Sequence, residues 1–119
     1  SMAVADDSPS DVARILISSQ RSPMTYLSTA KRHLQQHGSV HITALGTALS
    51  SLVTLSEVLK NSKLVDEVKL TTCLEHFKDE FSDRQKPKMD IMLTKSAAFE
   101  KIMAEEAKKQ NDHAGADPQ

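Results

Sequence analysis

Arg84, Lys86 and Lys88, spaced alternately in DRQKPK, are the side chains of this 119-residue chain best arranged to do chemistry. In an extended ribbon successive side chains point to opposite faces, so all three cations share one side. A two-stranded ribbon is slim enough to enter a nucleic-acid groove, where such cations meet phosphates without reading bases. A charged, solvated loop is the competing reading of the same spacing. The stretch SVHITALGTAL, Ser39 to Leu49, offers a second kind of chemistry. It reads as a strand that feeds a helix through Gly46. A helix start leaves N–H groups without intrahelical partners and carries a positive partial charge. Leu45, Gly46 and Thr47 therefore present backbone donors, and Thr47 a hydroxyl, to an anion such as phosphate. Gly46 would equally serve close helix–sheet packing, and the residues by themselves leave these two readings even.

Other chemistries find no constellation. His33 and His37 lie four apart on a helix, with His41 beyond, but no Glu stands between them in the metalloprotease position. Cys73 falls in mid-strand and reads as a small buried hydrophobe. The serines lack a nucleophile-elbow motif. Glu75, Asp79, Glu80 and Asp83 form an acidic run that reads as a solvated face. Nothing places a base, a nucleophile and a metal together, so the expectation is a protein without enzymatic activity, cofactor or metal.

The bulk numbers agree. At 119 residues the chain suits one domain, and 39% hydrophobic residues with only 3% aromatic imply a small aliphatic core. No apolar run approaches the ~20 residues of a membrane span, and no secretory pattern appears. A single cysteine excludes an internal disulfide and fits a reducing, cytoplasmic or nuclear compartment. The net charge of −1 hides a division. Residues 13–99 hold twelve Lys and Arg against eight Asp and Glu, whereas both ends are acidic. A mildly basic body permits a polyanionic partner.

The elements that must position these residues follow from periodicity. ARILIS (13–18) is a short β-branched strand. Ser22 and Pro23 open a helix with Met24, Leu27, Ala30 and Leu34 on its apolar stripe, and Gly38 ends it. SVHIT (39–43) is a second strand. Leu45, Ala48, Leu49, Leu52, Val53, Leu55, Ser56 and Leu59 then make the broad apolar face of a second helix, closed by Lys60 and Asn61. DEVKLTTCLEHF (66–77) and PKMDIMLTK (87–95) are the strands of a long hairpin, with KDEFSDRQK as its polar tip. Ser96 caps a terminal helix over 97–109, with Phe99, Ile102 and Met103 on one stripe. The order β-α-β-α-β-β predicts an α/β two-layer sandwich with a mixed four-stranded sheet, a long hairpin arm and a C-terminal helix. Disordered tails are expected at 1–12 and 110–119, on either side of a domain over 13–96.

The segments ILISSQRSPMTYLSTAKRHLQQHGSVHITALGTALSSLVTLSEVLKN, EVKLTT and DRQKPKMDIMLTKS together resemble the Alba domain family, in its eukaryotic branch. The resemblance implies the same fold, a dimer and a nucleic-acid ligand. It also implies a binding surface built from the loop after the first strand (Gln20, Arg21 and Ser22), the turn into the second helix (Leu45, Gly46 and Thr47) and the arm (Arg84, Lys86 and Lys88). Archaeal members usually carry two adjacent lysines in the first loop and arginines around the glycine. Here Gln20 and Arg21 stand in the loop, and Leu45 and Thr47 flank the glycine. Lys63 takes the approximate place of an aromatic residue through which archaeal dimers contact one another. Fewer cations imply weaker, more selective binding, with RNA preferred and DNA second, in RNA metabolism or translational control. The partner would be RNA or DNA and a second Alba-type chain, as homodimer or heterodimer, with no membrane. The alternatives are a heterodimeric subunit of a ribonuclease P-like ribonucleoprotein and a chromatin-associated DNA-binding protein.

Overall fold

Alternation of outward Arg14 and Leu16 with buried Ile15 and Ile17 makes the first strand half-buried from its first residue, as period-two sequences require. The computed structural model describes residues 14–115; the tail expected at 1–12 and residues 116–119 lie outside them. The strands are β1 (Arg14–Ile17), β2 (Ser39–Leu45), β3 (Val65–Lys78) and β4 (Asp83–Lys95); the helices are α1 (Leu27–His37), α2 (Leu49–Asn61) and α3 (Phe99–Gly115). One mixed four-stranded sheet has the order β1-β2-β4-β3, with β1 parallel to β2 and β4 antiparallel to both its neighbours. The register pairs Ile15 with Ile42, Ile42 with Ile91 and Val40 with Leu93, so these side chains share one face. Against that face α1 contributes Ala30 and Leu34, and α2 contributes Leu52, Leu55 and Leu59, all fully buried or nearly so. This is the expected two-layer sandwich. Among the described residues no helix is long and apolar enough to cross a membrane.

Local differences from the sequence reading have local causes. The chain enters α1 through a 3-10 turn, Pro23–Tyr26, capped by the Ser22 hydroxyl, which accepts from the Met24 N–H at 3.3 Å. Three residues per turn instead of 3.6 shifts the phase. Tyr26 therefore turns inward, 8% exposed, while Met24 is left 41% exposed. The second helix ends at Asn61 as expected, and the chain turns out of it at Lys63, which adopts a left-handed φ of 65°. The Lys63 N–H bonds the Lys60 carbonyl and the Leu64 N–H bonds the Leu59 carbonyl, which buries Leu64 completely. The Lys63 carbonyl also accepts from the Ser96 hydroxyl at 2.7 Å.

The hairpin strands are longer than their apolar patterns suggested. Pairing continues to Lys78 opposite Asp83, which leaves Asp79–Ser82 as the turn. Cys73 is exposed, against expectation, because its pairing with Lys88 places it on the face of the sheet opposite the helices. Helix α3 runs past Lys109 to Gly115. Phe99 plants it in the core at 0% exposure, with Ile102 and Met103 packed alongside and Lys31 bonded to Glu106 at 2.9 Å.

Candidate nucleic-acid interface

Parallel pairing of β1 with β2 sends both carboxyl ends to one edge of the sheet, and antiparallel β4 starts at that same edge. The loop after β1, the turn after β2 and the root of the arm are therefore neighbours, although they are up to about seventy residues apart in sequence. The last pair of the β2–β4 ladder, Leu45 with Lys88, is where turn and arm join.

The loop is held from below. The Ser18 N–H donates to the buried Tyr26 hydroxyl at 2.9 Å, and the Gln20 N–H donates to the Ser18 hydroxyl at 3.0 Å. Gln20, Arg21 and Ser22 are exposed above it, with the Arg21 guanidinium 5.8 Å from the centre of the Tyr26 ring. The Ser22 hydroxyl is already used as the helix cap.

At the turn, Gly46 has φ +56°, and the chain enters α2 through a 3-10 turn, Gly46–Ala48, that no side chain caps. Its first N–H groups are thus free of side-chain acceptors, and Thr47 is exposed beside them. A Cβ on Gly46 would sit 3.8 Å from Lys86 Cδ, an ordinary contact. The left-handed φ, not a shortage of space, is what demands glycine. Gly46→Ala is expected to cost about 1–2 kcal/mol of stability, read as a lower urea midpoint at unchanged m. An unaltered midpoint would refute that cause. Thr43, two residues before the end of β2, is 7% exposed and gives its hydroxyl to Asp90 at 2.5 Å, so it offers the turn no donor.

On the arm, cross-strand partners share a face: Arg84 with Phe77, Lys86 with Glu75 and Lys88 with Cys73. The three cations do lie on one side. They are not equally available. Lys86 Nζ stands 5.4 Å from the centre of the Phe77 ring, and Lys88 Nζ lies 3.7 Å from Glu75. Arg84 is exposed and has no ion pair among the described residues. Over residues 75–88 four Lys and Arg meet four Asp and Glu, so the arm as a whole is neutral and only its face is cationic.

That face continues into the uncovered side of the sheet, where Arg14, His41, Thr43 and Asp90 form a polar chain. His41 Nε2 donates to Asp90 Oδ1 at 3.2 Å, and Arg14 Nη2 reaches His41 Nδ1 at 3.4 Å. Burial, then the charge of Arg14, pushes the His41 pKa below its ordinary 6.5, against the pull of Asp90 and with a small further push from Lys88. The neutral tautomer fits: protonation would set an N–H at Nδ1 against the Arg14 donor. Because the unfolded chain binds this proton more readily, stability falls as pH drops below about 6.5. His41→Gln is expected to flatten that decline in denaturation midpoints measured between pH 7 and 5. An equally steep decline in the variant would show that other groups cause it.

Among the described residues no group of three or more His, Cys, Asp or Glu is placed to hold a metal ion. The profile of the family described as Alba matches residues 13–77. The chain belongs to the Alba family. Alba proteins generally bind nucleic acid and form dimers. An uncharacterized protein of Arabidopsis thaliana is 39% identical over 94 residues, 76% of this chain and 72% of its own length. Two solved Alba structures share the fold. ALBA1 of Trypanosoma brucei superposes with a TM-score of 0.74 at 22% identity, covering 86% of this chain and 85% of its own. Alba of Thermoplasma volcanium gives 0.62 at 15% identity, covering 69% and 99%.

Against this Alba frame, Tyr26, Phe77 and Phe81 are the residues of the edge that the sequence reading passed over. Tyr26 holds the loop, Phe77 lies under Lys86, and Phe81 stands at the arm tip, 90% exposed. Their signal was scarcity. The chain has one Tyr and three Phe, and two of the four rings fall within an otherwise polar hairpin.

Proposed function

We propose that this Alba chain is a non-enzymatic nucleic-acid-binding protein with RNA as its preferred ligand and DNA as a second. It would act in RNA metabolism or translational control, in the cytoplasm or nucleus. The observation that carries the reading is the meeting of three segments at one sheet edge, with the Lys86 stem against Gly46 and the Arg21 loop on the neighbouring strand end. Uncapped amides at the turn suit one phosphate, while Arg21, Arg84, Lys86 and Lys88 supply longer-range attraction on either side. Leu45 and Thr47 leave the centre uncharged, which favours moderate affinity over tight coating of a duplex.

A dimer fits the surface as well. Leu70 and Leu74, 45% and 62% exposed, lie on the helix-bearing face where the arm overhangs the helices, and Val53 of α2 is 45% exposed. A second chain of the same family would cover them. The same apolar surface favours the second reading, a heterodimeric subunit of a ribonuclease P-like particle.

The test is the size of the purified chain in solution, alone and with an RNA oligomer, together with titrations of RNA and duplex DNA at several salt concentrations. The expected result is a homodimer whose RNA affinity falls as salt rises and exceeds its DNA affinity. A chain soluble only with a partner would favour the heterodimeric subunit. Absence of salt-dependent binding to either nucleic acid would end the proposal.

A further inference from the structure

We infer that Phe81, at the tip of the arm, is a stacking platform for an unpaired nucleobase, so that single-stranded RNA is held by a base at the tip and by phosphates along the cationic face. The inference rests on the nucleic-acid reading above and adds to it which form of nucleic acid the arm takes and by what contact.

The ring is 90% exposed in a chain poor in aromatic residues. Tyr26 and Phe99 are buried, and Phe77 is 36% exposed with Lys86 over its ring, so Phe81 is the most exposed of the four rings. The turn that carries it is built and not slack. Asp79 Oδ1 accepts from the N–H of Phe81 at 2.8 Å, the N–H of Ser82 at 2.8 Å and the Ser82 hydroxyl at 3.2 Å, while the Asp79 N–H donates to the Ser82 carbonyl at 2.9 Å. Those bonds also keep the Asp79 carboxyl below its usual range, so it stays ionised. One step down the arm, His76 contacts Asp83 across the strands. A ring presented on such a turn loses little freedom when it is covered.

Charge selects the occupant. Around the ring, Asp79, Glu80 and Asp83 outnumber Lys78, whereas Arg84, Lys86 and Lys88 follow along one face. Phosphates are repelled from the tip and drawn to the face below it. An uncharged base face is the part of a nucleic acid that suits the ring. A duplex groove is walled by two rows of phosphates and would bring them against the three carboxylates. An anionic membrane surface is disfavoured for the same reason.

Phe81→Trp supplies the probe, since the chain has no tryptophan. Its emission is expected to be quenched by an unstructured mixed-sequence RNA oligomer and not by an RNA duplex of the same length. Phe81→Ala is expected to weaken binding of the unpaired oligomer about fivefold or more, with an unchanged salt slope because no charge is removed. Phe81→Leu, which keeps apolar area but has no π-face, is expected to lose nearly as much. Wild-type affinity in Phe81→Leu, or unquenched emission with RNA bound, overturns the stacking assignment. So does a Phe81→Ala variant that changes oligomeric state while binding RNA normally. If joint replacement of Arg84, Lys86 and Lys88 by glutamine lowers RNA affinity and Phe81→Ala does not, this inference fails and the nucleic-acid reading stands. If the wild-type chain binds no RNA, both fail.

Discussion

Replacing Arg84, Lys86 and Lys88 together by glutamine is expected to lower RNA affinity by roughly ten- to a hundredfold near physiological salt and to reduce the salt slope by about 2. The size follows from counterion release. Each phosphate neutralised on a single strand contributes about 0.7 to the slope, so three contacts give about 2, and affinity near 0.15 M then changes by roughly fiftyfold. The lower end of the range reflects Lys88, part of whose charge is already met by Glu75 at 3.7 Å. Lys60→Gln is the matched control. Lys60 lies at the far end of α2, bonded to Glu57 and Glu67 at 3.0 Å each, and its loss should leave the slope unchanged. Arm residues are mostly exposed, so the triple variant should keep its fold. An unaltered salt slope in the triple variant would remove the arm from the interface, whatever the affinity does.

The largest stability effect is expected at Phe99→Ala, about 3–5 kcal/mol. Phe99 is fully buried in the common core and starts the helix that Ile102 and Met103 continue onto the domain. Lys95 Nζ lies 5.4 Å from the centre of its ring. Removal of the ring opens a cavity at the point where α3 is attached. Small domains have on the order of 5–15 kcal/mol in total, so a large share would go. Glu106→Gln removes the Lys31–Glu106 pair farther along the same helix, where the partners are 23% and 42% exposed, and should cost under about 1 kcal/mol. Urea denaturation of the two variants separates a helix anchored by its first buried ring from one held by surface charge. A Phe99→Ala cost near that of Glu106→Gln would contradict the anchoring.

The elements were legible because their periods are strong. Ile15 and Ile17, Leu52, Leu55 and Leu59, and Ile91 and Leu93 announce themselves by spacing, and each is buried as that spacing requires. What went astray depended on contacts across the chain. Met24 had the helical spacing, but a 3-10 turn gave its place to Tyr26. Cys73 had the composition of a buried strand position, but the register sets it beside Lys88 on the face opposite the helices. Lys63 has no propensity for a left-handed φ; bonds from its own N–H, from Leu64 and from Ser96 hold it there.

The candidate site divides along the same line. Sequence by itself determined which residues bear charge or free amides: Arg21, Gly46 with its helix start, and the alternating Arg84, Lys86 and Lys88. Those are properties of residue type and near-neighbour spacing. Tertiary structure decided that they meet, because strand pairing sets β1, β2 and β4 side by side with their loops at one edge. It also decided how much of each charge remains. Phe77 and Glu75 on the partner strand take up part of Lys86 and Lys88, and Asp90 takes the Thr43 hydroxyl. Electrostatic attraction falls with distance in space, and distance in space between residues far apart in a chain is set by the register of the sheet and not by their order.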